Sequence, residues 1–235
     1  MQLTTSQIDQ LFTFTRQHYV EWYDLQSELV DHLANSIEAQ WEQFPKRTFE
    51  EALNIEFKKF GVFGFMDVVE KRQAALGKKY NSIVWQHFKD FFSIPKIILT
   101  VAMTLALFLI LKISAVKEYI FLGFYLLMII GMFYEIYKSY QTRKNKKQSG
   151  EKRWLFEEII SHYGNFAGII ILPFNMITQL FNHSDRLFSN DYWLIGLSFF
   201  LVSFGLFLFI IFKIIPSKAE SYLLATYPEY KLEKL

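Results

Sequence analysis

Apolar positions recur at helical spacing up to about residue 90 and merge into long uninterrupted runs beyond it, so the pattern alone divides the chain in two. In the first part, Ile8, Leu11, Phe12 and Tyr19 predict a helix from about Thr5 to His18, with Ser6 and Asp9 at capping-box spacing. A second helix is expected over 24–44, where Leu29, Val30, Leu33, Ile37 and Phe44 fall on one side with Trp41 beside them. Pro45 should stop it. Thr48 and Glu51 form a second capping-box pattern, opening a third helix that carries Phe49, Ala52, Leu53, Phe57 and Phe60, with Gly61 suited to its end. A fourth helix is expected from about Phe65. Residues 78–92 then place Val84, Trp85, Phe88, Phe91 and Phe92 along one side among Lys78, Lys79 and Lys89, which suits either a membrane surface or the core of the soluble unit.

Four later runs approach the ~20 apolar residues, at about 1.5 Å each, that cross a hydrocarbon core of about 30 Å. With their extensions they cover about 94–112, 119–138, 157–181 and 192–213. The first two have uncharged centres of only 15 and 16 residues, Ile97–Leu111 and Tyr119–Tyr134, and need Lys96, Glu135 and Lys138 near the boundary to complete them. The seven residues Lys112–Glu118 between them suit a transmembrane hairpin or a re-entrant pair. No strand pattern or long-period repeat occurs. The expected fold is therefore all-α: a helical domain of about four helices over 1–92, a four-helix transmembrane bundle over 93–216 and a tail over 217–235. The polar start, Met1–Gln10, is not a signal peptide, which leaves the first apolar run as the targeting element.

Composition sharpens this picture. With 52% hydrophobic and 19% aromatic residues the chain is too apolar for an ordinary soluble protein, and zero cysteines exclude disulfides, thiolate metal sites and a cysteine nucleophile. The net charge of +2 hides an uneven distribution: residues 1–90 hold 10 basic and 13 acidic side chains, and the remainder 15 and 10. No global basic field advertises nucleic-acid binding, and none is expected. The basic stretch 138–153, with Lys138, Arg143, Lys144, Lys146, Lys147, Lys152 and Arg153 against Glu151, is expected as a cytoplasmic loop, which puts both termini in the cytoplasm. Arg143, Lys144, Lys146 and Lys147 are its candidate contacts to anionic lipid headgroups. Tyr119, Tyr134, Trp154, Tyr192 and Trp193 fall near span ends, where headgroup-level rings are expected.

The run Glu28-Leu29-Val30-Asp31-His32-Leu33, followed by Ile37-Glu38, Thr48-Phe49-Glu50-Glu51-Ala52-Leu53, Phe60-Gly61 and Val68-Val69-Glu70, resembles the small helical HAAS domain and the related prefix domain of some bacterial permeases. The likeness covers about residues 22–72. It departs from the usual pattern at Pro45-Lys46-Arg47, where a glycine turn is common, and at Phe63-Gly64-Phe65, where a polar helix start is common. The resemblance implies a cytoplasmic domain fused to membrane segments of the bacterial inner membrane, acting in signalling beside PadR-type regulators. It implies no catalytic residues.

Little in the sequence carries chemistry. Phosphate loops, dinucleotide fingerprints, nucleophile elbows and paired-histidine metal motifs are missing, so no catalytic residue, metal or cofactor is assigned. Glu158, His162 and Asn165 share a helix face at the start of the third run, which suits interfacial hydrogen bonding first and general-base chemistry or metal ligation second. Gly164 and Gly168 are spaced for close helix packing, and with Pro173, Asn175 and Gln179 they leave a substrate path open as the second account. On the second helix Asp24, Glu28, Asp31, Glu38 and Glu42 form an acidic stripe opposite the apolar side, either a solvated face or a docking surface for a basic protein segment, the loop 138–153 included. The expected function is that of a non-enzymatic membrane regulator or scaffold whose partners are membrane lipids and a protein at the cytoplasmic domain, with a second copy of the chain also open. A transporter subunit and, behind it, an intramembrane enzyme are the alternatives.

Overall fold

A computed structural model of the chain describes residues 2–148, 151–163, 175, 178 and 187–234, and its described regular elements are all helical. They are α1 (Thr5–Gln17), α2 (Tyr23–Gln43), α3 (Phe49–Lys58), α4 (Met66–Asp90), α5 (Lys96–Ile113), α6 (Lys117–Gln148), α7 (Leu155–Ser161), α8 (Asp191–Phe209, prolonged to Ser217) and α9 (Ala219–Thr226), with a final 3-10 turn Pro228–Lys234. By contact the chain forms two compact units. One gathers Met1–Lys78, Gly150–Ile159 and Leu223–Leu235, and the other Lys79–Ser149 and Ile160–Tyr222. The first unit thus gathers three separate stretches of sequence, since the segment before the third apolar run and the end of the tail fold with the amino-terminal helices.

In the first unit α2 packs against α1 and α3, burying Leu11, Leu29, Leu33, Ile37, Ala52 and Leu53. The cap of α1 is Thr4 with Gln7 rather than Ser6 with Asp9: the Thr4 hydroxyl accepts from Gln7 N–H and the Gln7 side chain accepts from Thr4 N–H. The Thr48–Glu51 box forms as the sequence predicts, and α2 ends before Pro45. Between α3 and α4 the chain turns through Gly61 (φ 81) and Gly64 (φ 55), both in the left-handed region that side chains resist. This turn seats Phe65 among the rings of Phe14, Phe57 and Phe60 at 4.8–6.1 Å.

Among the described residues of the second unit three helices are long and apolar enough to cross a membrane: Lys96–Ile113, Lys117–Gln148 and Asp191–Ser217. Phe121, Tyr125, Met132, Leu194, Leu201 and Phe204 form the core between α6 and α8, while Ile98, Leu99, Leu109, Leu127 and Ile130 point outward. Such an apolar exterior suits a lipid solvent. The α6 helix runs well past the expected boundary at 138, so the basic stretch is helical as far as Gln148 rather than a loop. No glycine or proline interrupts residues 132–148, and Lys, Arg, Gln and Met are good helix formers. Before Pro216, α8 widens into a π turn over Ile210–Ile214. Proline lacks an N–H and crowds the carbonyl four residues earlier, and the wider turn accommodates both.

Lys112 pairs with Asp191 at one end of this unit, where the Lys117 ammonium also donates to Phe188 O. At the other end Lys213 pairs with Glu135 at 2.6 Å and the Tyr163 hydroxyl donates to Glu135 O at 3.1 Å. Residues 78–92 take a course the pattern leaves open. Trp85 and Phe88 meet Phe207, and Phe92 meets Phe199, so these rings pack along α8. Most of the third expected span, 157–181, including Gly164 and Gly168, lies outside the described residues.

Candidate functional site: the junction at the head of α2

The first turn of a helix leaves N–H groups without intrahelical acceptors. At α7 these are answered by two distant parts of the chain. Leu155 N–H donates to Asp24 Oδ1 at 3.1 Å, and Phe156 N–H donates to the Tyr227 hydroxyl at 3.3 Å. A carboxylate from α2 and a phenol from the tail therefore cap the helix that leads into the third apolar run. Tyr23 N–H donates to Arg153 O at 2.8 Å, which fixes the approach of the segment to α2 from the opposite direction.

Around this polar seam the side chains are closely packed. Trp154 is 3% exposed, with the rings of Tyr23, Tyr227 and Tyr230 at 5.5, 5.0 and 5.2 Å from its own. Leu155 and Phe156 are buried beside it. Trp154 is accordingly a core ring of this unit and not the headgroup-level ring its position near a span suggests. Arg153 pairs with Glu21 and, at 2.7 Å, with Glu158, whose Oε2 also accepts from Trp22 Nε1 at 2.7 Å. Glu158 is thus engaged with Trp22 and Arg153. His162 itself is exposed.

The electrostatics follow from this burial. Loss of solvent raises the Asp24 pKa above its ordinary value, and the Tyr227 hydroxyl, the Leu155 N–H and the charge of Arg72 only partly oppose the shift. Tyr227 is pushed up as well, by burial and then by the neighbouring Asp24. Burial works against the charge on Arg153, but Glu158 and Glu21 outweigh it and hold its pKa above the usual value. Asp24 Oδ2 and Arg72 Nε are buried without a hydrogen-bond partner among the described residues.

The five acids of the α2 stripe therefore divide. Asp24 is committed to the junction, and Glu38 Oε1 accepts from Leu3 N–H at 2.8 Å. Glu28, Asp31 and Glu42 are exposed. Beside the junction lies an open groove of about 510 Å³, walled by Phe12, Arg16, Glu21, Tyr23, Lys152 and Arg153 among others, where the Lys152 ammonium stands 4.0 Å from the Tyr23 ring centroid. Arg143 and Lys146 are half-buried on the α6 extension, and Lys144 and Lys147 are exposed. Among the described residues no group of three or more acids and histidines could hold a metal ion.

Sequence reasoning found Asp24 but not its use, and it missed Trp22, Tyr23, Tyr227 and Tyr230. The available signal was the tail itself: Tyr222, Tyr227 and Tyr230 lie within nine residues, an aromatic density that free tails seldom carry. Comparison of the chain with family models, curated proteins and solved structures finds no match.

Proposed function

We propose that the protein is a non-enzymatic regulator or scaffold of the bacterial inner membrane whose amino-terminal helical domain binds a protein partner in the cytoplasm. The observation that carries this reading is the junction. The α1–α3 domain is tied through Asp24 to the segment entering the third apolar run, and Tyr227 brings the tail that follows the last span to the same point. A domain built only as a passive anchor needs neither tie, whereas one that reports its state to membrane helices needs both. The exposed acids Glu28, Asp31 and Glu42 supply a face for a basic partner, and the HAAS-like pattern points to PadR-type regulators as one class of candidate.

The topology rests on four crossings with both ends in the cytoplasm. Tyr163 bonds to Glu135 at one end of the α6–α8 pair and Phe188 bonds to Lys117 at the other, which supports reading the third apolar run as a crossing. The 32 residues of α6 span about 48 Å, some 18 Å beyond a hydrocarbon core. On this extension Tyr137, Tyr140, Arg143, Lys144 and Lys147 lie within about 60° of one line at 100° per residue, an arrangement that suits anionic headgroups.

Capture from cross-linked native membranes tests the partner. The intact protein should retain a basic partner that the triple variant Glu28→Lys, Asp31→Lys, Glu42→Lys loses, with salt weakening the capture. Equal capture by both forms refutes the acidic face. Single cysteines test the topology, because the chain has none of its own. Asn145→Cys should label only after permeabilisation and Ser114→Cys without it, and the reverse pattern overturns the orientation.

A further inference from the structure

We propose that the carboxy-terminal tail is a releasable pin. With Tyr227 seated, the chain's own Arg153–Phe156 segment occupies the head of the acidic helix, and withdrawing the tail opens that head to a basic segment of another protein. This rests on the partner reading for its second half only. The first half stands on geometry.

The tail holds the junction at several points through few residues. Tyr227 accepts the Phe156 N–H, lies beside the Asp24 carboxylate and, with Tyr230, covers Trp154. Among its described residues the tail's buried side chains are Leu223, Tyr227 and Tyr230, and its helix α9 has eight residues. The core of Leu11, Leu33, Ile37 and Ala52 packs instead through the α1–α2 and α2–α3 contacts. A small attachment whose loss leaves a larger core in place is the structural requirement for local opening. The resident segment also defines what replaces it. Arg153 brings a cation to Glu21, a backbone N–H goes to Asp24, and an aromatic side chain fills the space beside Tyr23. A basic segment with an aromatic residue next to its arginine meets the same acceptors.

The test uses the full chain in nanodiscs and its lack of cysteine. Leu155 is 1% exposed, so the maleimide labelling rate of Leu155→Cys reads how often the junction opens. Adding Tyr227→Phe removes the hydroxyl that accepts the Phe156 N–H and should speed labelling about 5- to 150-fold. The core position Leu33→Cys should stay unlabelled in every background. An unchanged rate at 155 with Tyr227→Phe overturns the pin, and so does equal acceleration at 33, since the tail would then be part of the folding core. Ending the chain at Thr226 is the stronger version and must accelerate labelling at least as much. The second half is read by adding a soluble basic peptide of residues 152–156, Lys-Arg-Trp-Leu-Phe. It should raise the rate at 155 further in the Tyr227→Phe background by holding the resident segment out. No further rise at saturating peptide overturns the exchange while leaving the pin intact.

Discussion

Replacing Asp24 by asparagine should stabilise the first unit, by an amount that depends on pH. The carboxylate accepts the Leu155 N–H through Oδ1, and its Oδ2 is buried without a close hydrogen-bond partner among the described residues. Asparagine keeps an oxygen for that N–H and discards the charge. Because burial raises the Asp24 pKa, the folded state favours the protonated acid. The stability owed to this group is therefore complete below the ordinary carboxylate range and lost as pH rises through the raised folded value. Several effects oppose that sign: the bonds from the Tyr227 hydroxyl and the Leu155 N–H are stronger to an anion, the Arg72 charge attracts it, and a negative charge at the first turn of α7 is favourable by about 0.3–1 kcal/mol. Their combined action is smaller than the burial effect, since the net shift is upward. The variant should match the parent near pH 4 and exceed it by about 1–2 kcal/mol at pH 8, the scale of an incompletely satisfied buried polar group. Urea titration in nanodiscs, followed by labelling of a cysteine at the buried Leu33, measures the gap at each pH. Parallel pH profiles, or a variant less stable than its parent at pH 8, would refute the reasoning and show that the α7 terminus holds the charge in place.

Two further changes probe the scaffold around the junction by the same denaturation measurement. A side chain at Gly64 would meet Phe57 Cζ at 2.9 Å on a backbone with φ 55, whereas Gly61, at φ 81, has open space around it. Gly64→Ala should therefore cost about 2–4 kcal/mol and Gly61→Ala about 1 kcal/mol, and equal costs would contradict the Phe57 contact. Thr48→Ala removes one arm of the α3 capping box and should lower stability by about 1 kcal/mol, a loss that Thr48→Ser should largely restore.

The parts of the fold that the sequence revealed are those governed by local rules. The apolar spacing of α2, the Thr48–Glu51 cap, the stop at Pro45 and the span-length runs all depend on residues within a few turns of one another. The cap of α1 differs by two residues because Thr4–Gln7 and Ser6–Asp9 satisfy the same local pattern, and the bond from Leu3 N–H to Glu38 ties the chain start to α2. The basic stretch read as a loop from its charge, although its propensity is helical, because topology and conformation are separate questions that one composition answers differently. The junction was illegible for a stronger reason. Its contacts join positions more than 70 residues apart, such as Phe156 to Tyr227 and Leu155 to Asp24, and no periodicity encodes them.

That separation also bears on how the amino-terminal domain behaves alone. Residues 1–92 contain α1–α3 and all of α4, yet they lack Trp154, Leu155 and Phe156, each 3% exposed or less in the folded unit. Burying a large apolar side chain is worth about 1.5–3 kcal/mol, so removing three forfeits on the order of 5–9 kcal/mol of gross burial. Part of that returns when water solvates the vacated surface of α2. A domain of this size carries about 5–13 kcal/mol of net stability in total, so the loss is commensurate with the whole. The isolated stretch 1–92 is therefore expected to retain helicity but to melt broadly and at low temperature. Fusing residues 150–159 and 223–235 to 1–78 through flexible linkers should restore a cooperative transition, since it reunites the segments of the first unit. Circular dichroism melts of the two chains decide the matter. A sharp, high transition for 1–92 alone would mean that the junction decorates an already complete domain, and coupling between the tail and the acidic helix would lose its energetic basis.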